Sequence, residues 1–233
     1  LILIFLDKIM CYPRIIWVIR HCEREDNINK EWRNLPGMEL FQYDNSPLSS
    51  RGRQQAKELA KRFRHEPIAH IFASPYDRTI ETANAILLDN DNKNLTIKPE
   101  AGLCEALYLC TKPYPSFWDV NELKEKFNKI DTDYDPVYTR YTLPKEGYGD
   151  DECIPRLKNT IHRITNKYAG PILLVGHGAS IGAIHEVLTG HFKYVGQATV
   201  SKFVQDGDSM ECIKLEYSSC PSHLTDRRNL RPY

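Results

Sequence analysis

The sequence predicts an α/β fold, a three-layer sandwich in which helices cover both faces of a mostly parallel sheet. Two observations carry this expectation. Short apolar runs at residues 15–19, 70–73 and 172–175 alternate with segments of helical periodicity. The first and last of these runs are continuously apolar, as strands buried on both faces must be.

Taken in order, residues 15–19 form the first strand. A helix follows over 47–65, where Ser49 or Ser50 can cap and Ala56, Leu59, Ala60 and Phe63 recur on one face. Residues 70–73 form the second strand, ended by Ser74-Pro75. A helix over 76–88 places Ile80, Ala83, Ile86 and Leu87 together, and 95–98 reads as a third strand. Residues 105–150 carry Pro113, Pro115, Pro136 and Pro144 with one helix over 121–127, and read as an insertion flanking the site rather than a domain. A helix over 153–168 ends at Gly170-Pro171. Strand 172–175, Gly176-His177-Gly178 and a helix over 180–188 follow. Residues 199–204 and 211–216 form a closing hairpin around Gly207, and an irregular tail begins at 218. The chain is thus one domain over 14–217, with an extension at 1–13 and a tail at 218–233. Met10 reads as the natural start, and the apolar residues 1–6 are too few for a membrane span or a signal core.

At 233 residues and 41% hydrophobic content, the chain can bury a sizeable core. Its 31 basic and 31 acidic side chains cancel, which gives no global attraction to nucleic acid or to an anionic membrane. Seven cysteines without a CxxC pair point away from zinc and from a disulfide framework, toward reduced thiols and a cytoplasmic setting.

In such sheets ligands bind at the carboxyl ends of the strands. That rule brings His21 and His177, far apart in sequence, to one edge. In Arg20-His21-Cys22-Glu23-Arg24 a histidine sits between two arginines directly after a strand. Guanidinium forks match phosphate oxygens, and their charge keeps a ring nitrogen unprotonated and nucleophilic. Arg78 lies in the first turn of its helix, where backbone N–H groups also favour anions. Glycines beside His177 allow close approach of a ligand. Glu105 follows the third strand as candidate proton donor, since a nearby phosphate dianion favours the protonated form of a carboxylate. Each motif alone also reads as a surface charge or a structural histidine. Their joint order at strand ends is what points to phosphoryl chemistry.

On these motifs the chain resembles the histidine phosphatase superfamily, the phosphoglycerate-mutase-like fold, over roughly residues 14–188. Residues 20–26 (RHCERED) and 98–136 are similar to the phosphatase domain of suppressor-of-T-cell-receptor-signalling proteins and to ecdysteroid-phosphate phosphatases. The resemblance implies that His21 is the phosphorylated nucleophile, that Arg20, Arg24, Arg78 and His177 hold phosphoryl oxygens, and that Glu105 acts as acid and then base. It implies no metal and no cofactor. It implies as partner a phosphorylated substrate, either a small molecule or a phosphotyrosine protein, and a homodimer is common among relatives. Cys22 departs from the family's usual glycine, leaving a filler, a reshaped pocket or a redox-sensitive thiol as alternatives. Two other functions stay open: a cofactor-dependent phosphoglycerate mutase, against which Arg24-Glu25-Asp26 speaks, and a non-catalytic module that binds phospho-ligands.

Overall fold

The computed structural model describes residues 13–207, 209 and 212–231. The proposed start at Met10 and nearly all of the 1–13 extension lie outside these residues. Strand β1 (Arg14–Arg20) is central. It pairs in parallel with β4 (Ile172–Gly176), which pairs in parallel with β2 (His70–Ala73), which in turn pairs with β3 (Ile97–Pro99). On its other side β1 pairs antiparallel with β5 (Val200–Gln205), and β5 with β6 (Ile213–Cys220). The order β3-β2-β4-β1-β5-β6 is a parallel sheet extended by an antiparallel hairpin, as expected.

The continuous apolar strands explain the layers. Trp17, Ile19, Leu173 and Val175 face helices α1 (Ser50–Phe63) and α2 (Asp77–Asp89), packing with Leu59, Phe63, Ile80 and Ile86. The alternate residues Ile16, Val18, Ile172 and Leu174 face two further helices with Leu157, Ile161, Ile181 and Ile184. Counting α3 (Val120–Lys126) in the 105–150 segment, these are α4 (Ile154–Lys167) and α5 (Gly178–Thr189). A sheet buried on both faces needs apolar side chains at every position, which is why these strands show no alternation.

Local signals set the helix ends. Ser49 Oγ caps α1 by accepting from Gly52 N at 2.9 Å. Asp119 caps α3 with the reciprocal Glu122, and left-handed Gly190 closes α5. Several boundaries differ from expectation: α1 spans Ser50–Phe63 rather than 47–65 because Ser49 takes the cap, and β3 spans Ile97–Pro99 rather than 95–98. Helix α5 starts at Gly178, because His177 takes the cap position and donates its N–H to Ser180 Oγ at 2.8 Å. Strand β6 runs to Cys220 because Cys220 pairs with Val200, and it begins at Ile213; predicted residue 211 lies outside the described residues. Residues 105–150 pack on the β3 end through Phe117, Cys110 and Leu143. The buried Glu100 carboxylate ties them down, accepting from Tyr134 Oη at 2.6 Å and from the N–H groups of Val137 and Tyr138 at 2.7 and 3.1 Å. Among the described residues no helix is long and apolar enough to cross a membrane.

Candidate active site

The register places His21 and His177 side by side. Arg20 pairs with Gly176, so the residue after each strand end meets its counterpart. His21 N–H donates to Gly176 O at 3.0 Å, and the two imidazole centroids are 5.4 Å apart. The switch between β1 and β4, the expected crevice, is therefore where both histidines stand.

His21 is 2% exposed. Its Nδ1 lies 2.7 Å from Cys22 O. A carbonyl only accepts, so Nδ1 carries the proton and Nε2 keeps its lone pair. Burial, followed by the charges of Arg78, Arg20 and Arg24, pushes the His21 pKa well below its ordinary value. The ring is thus held neutral in one tautomer, with Nε2 unprotonated. His177 is likewise driven neutral by burial and Arg78. Its Nδ1 accepts from Arg78 Nη2 at 3.1 Å, and its Nε2–H donates to Ser74 Oγ at 2.8 Å.

Arg78 enters from the first turn of α2. Its Nη1 donates to Asp44 O at 2.7 Å, and its guanidinium stacks on Tyr76, 4.4 Å from the ring centroid. Burial, then Arg24, pushes its pKa down to about 10, which leaves it charged at neutral pH. Arg24 forms two bonds to Asp26 and contributes its charge from the cleft wall. Arg20 donates Nη1 to Val195 O at 2.9 Å and to Arg231 O. The buried Nε donors of Arg20 and Arg78 have no acceptor among the described residues.

Glu105 reaches the N-terminus of α5. Its Oε2 accepts from Gly178 N at 3.0 Å, and Oε1 from Ala179 N and Ser180 N at 3.0 and 3.2 Å. The flanking glycines differ: Gly176 is set by the chain's own packing, whereas Gly178 has room for a Cβ at ordinary contact distance. A Cβ at Gly176 would stand 2.9 Å from Ser180 Oγ, and one at Gly178 would lie 3.4 Å from the Arg20 guanidinium and 3.6 Å from Glu105 Oε2. All six residues singled out in the sequence thus converge on one sheet edge. Arg24, Arg78 and Glu105 line a cleft of about 480 Å³ with Tyr43 and Asp44.

Several contributors were not visible in the sequence. Ser74 orients His177, and Tyr76 supports Arg78. Arg156, wholly buried, donates Nε to Glu146 at 2.6 Å and its terminal nitrogens to the carbonyls of Gly102, Cys104 and Glu105 at 2.7, 3.0 and 3.1 Å. It thereby fixes the backbone that presents Glu105. The tail reaches the site through Arg231 O. Among the aromatic side chains of residues 27–45 and 106–144, Trp32, Phe41 and Phe117 are buried, whereas Tyr43 is 75% exposed on the cleft. Cys22 is buried with Trp17, Leu48 and Ala56, and burial pushes its thiol up to about 12, so it acts as a filler and not as a reactive thiolate.

A family model described as the histidine phosphatase superfamily (branch 1) matches residues 16–218. The chain is 29% identical over 206 residues to ubiquitin-associated and SH3 domain-containing protein A of Homo sapiens, covering 75% of this chain and 31% of that protein. It is 27% identical over 217 residues to the ecdysteroid-phosphate phosphatase of Drosophila melanogaster, covering 79% and 28% respectively. The chain therefore spans about a third of the length of these relatives. The crystal structure of the ecdysone phosphate phosphatase of the silkworm Bombyx mori, in complex with tungstate, shares the fold with a TM-score of 0.65 and 21% identity, covering 91% of this chain and 95% of that one.

Proposed function

The chain belongs to the histidine phosphatase superfamily, and from that premise we propose that it hydrolyses phosphomonoesters through a phosphohistidine on His21. The observation that carries the reading is the His21 Nδ1–Cys22 O bond, which leaves Nε2 unprotonated among Arg20, Arg78 and His177. In the proposed reaction His21 Nε2 attacks phosphorus in line while Glu105 gives a proton to the leaving alcohol. Water then attacks the phosphohistidine, with Glu105 taking a proton from it. Arg20, Arg24, Arg78 and His177 stabilise charge on the transferring phosphoryl, so the scheme calls for no metal ion. The N–H groups at the start of α5 suit a phosphoryl oxygen as well as Glu105. Their exchange from one to the other would free the carboxylate toward the leaving oxygen.

The substrates we favour are phosphotyrosine and steroid phosphates. The exposed Tyr43 ring at the cleft supports an aromatic or alicyclic alcohol half, and one relative's name is that of an ecdysteroid-phosphate phosphatase. The test is acid quenching during turnover of a radiolabelled phosphomonoester. Label is expected on His21, and His21→Ala is expected to abolish both labelling and turnover. Full activity in that variant would overturn the mechanism, as would a requirement for added divalent metal after chelation.

A further inference from the structure

Asp44 enters the cleft beside the phosphate-binding groups, yet the hydrolytic scheme gives it no part. Its backbone carbonyl holds Arg78. Its side chain is the common acceptor for three donors, one at the start of α2 and two in the 105–150 segment: Oδ2 accepts from Tyr76 Oη at 2.9 Å and from Thr111 N at 2.8 Å, and Oδ1 accepts from Ser116 Oγ. All three donors are neutral. They hold the carboxylate in place without cancelling its charge. Burial raises the carboxyl's pKa, but the bonds from Ser116, Thr111 and Tyr76 outweigh it and keep the group below its ordinary value. Asp44 is therefore a fixed negative charge at neutral pH.

The cleft is electrostatically divided. Arg78 is buried and Leu109 is 51% exposed, so the phosphate end is inner and the alcohol end outer. Arg24, the other cation of the lining, is bonded twice to Asp26 and is already assigned to the phosphoryl group in the scheme above. Arg33 stacks on the Tyr43 ring at 4.4 Å but does not line the cleft. Beyond the phosphoryl position the lining thus offers an aromatic ring, an aliphatic side chain and one carboxylate, with no unpaired cation among the described lining residues to receive a second anion.

We propose that Asp44 is a specificity-determining residue: it turns away phosphomonoesters whose alcohol half carries a second anionic group and favours those whose alcohol half is neutral or cationic. The proposal rests on the phosphatase reading above. It also sets this cleft against phosphoglycerate or sugar bisphosphate as substrate, each of which brings a second anion.

The test compares 4-(carboxymethyl)phenyl phosphate with 4-(aminomethyl)phenyl phosphate on the full chain. A methylene insulates the phenol from the charge in each, so leaving-group chemistry is nearly constant. Like charges within several ångströms in a partly buried site justify an expected kcat/KM preference of about tenfold or more for the aminomethyl ester. This preference should shrink with added salt, and Asp44→Asn should bring it to roughly threefold or less. Equal rates in the wild type, a preference for the carboxymethyl ester, or an unchanged ratio in Asp44→Asn would each overturn the proposal. The wild-type ratio and its salt dependence decide the matter even where Asp44→Asn fails to fold. Unsubstituted phenyl phosphate separates the two readings. If the wild type does not turn it over, or does so without His21, the phosphatase reading falls and this proposal with it.

Discussion

Replacing Arg156 should cost more than any surface arginine, and the structure sets the scale. Its side chain is wholly buried, and that of Glu146 is 2% exposed. Removing one partner of such a buried pair costs roughly 3–5 kcal/mol, because the other charge is left dry and unpaired. The carbonyls of Gly102, Cys104 and Glu105 lose donors at the same time. These losses overlap with the first, so about 4 kcal/mol is the expected destabilisation of Arg156→Ala. For a chain of this size that corresponds to a fall in Tm of about 12 °C. Thermal and urea melts of the wild type, Arg156→Ala and the double variant Arg156→Met with Glu146→Gln check the argument. The double variant removes the stranded charge and keeps an acceptor for Leu107 N, which Glu146 Oε2 serves at 2.7 Å. It should recover about half of the loss. A loss below about 1 kcal/mol, or a double variant no more stable than Arg156→Ala, would refute the reasoning. Activity should fall beyond the stability effect, since the same bonds position Glu105.

Arg78→Ala should lower kcat/KM about 10²–10³-fold, as for loss of another preorganised oxyanion donor; an unchanged value in steady-state assays would place Arg78 outside the reaction. His21 and His177 have folded-state pKa values below their ordinary value, so the unfolded chain binds more protons as pH falls. Stability should therefore be fully present above about pH 6.5 and decline below it. The acid limb of kcat/KM due to His21 should likewise lie below about pH 6.5, and a limb above that value would contradict a depressed pKa. Cys22, buried with its thiol pushed up to about 12, should resist iodoacetamide in the native protein at neutral pH and react in urea. Peptide mass spectrometry that finds Cys22 labelled in the native state would show the packing to be open.

The strands were legible because a sheet covered on both faces cannot hide its requirement: Ile16 and Val18 serve one layer, Trp17 and Ile19 the other, and none can be polar. The six site residues were legible because each follows a strand or opens a helix, where the chain's local order already fixes the edge they occupy. The residues that hold them in place were not. Arg156 reads as one more charge on an amphipathic helix, and nothing near it announces Glu146 or the carbonyls of residues 102–105. Asp44 reads as a loop carboxylate, although its donors come from Tyr76, Thr111 and Ser116. Arg20 offers the sharpest case. The sequence marks it as a phosphate ligand, yet one of its terminal nitrogens is held by Val195 O and Arg231 O, carbonyls that carry no side-chain signal. Reactive groups are drawn from a few side-chain types at a few topological positions, so their pattern survives in one dimension. Positioning depends on burial and on backbone carbonyls brought in from distant segments, and a carbonyl is the same in every residue.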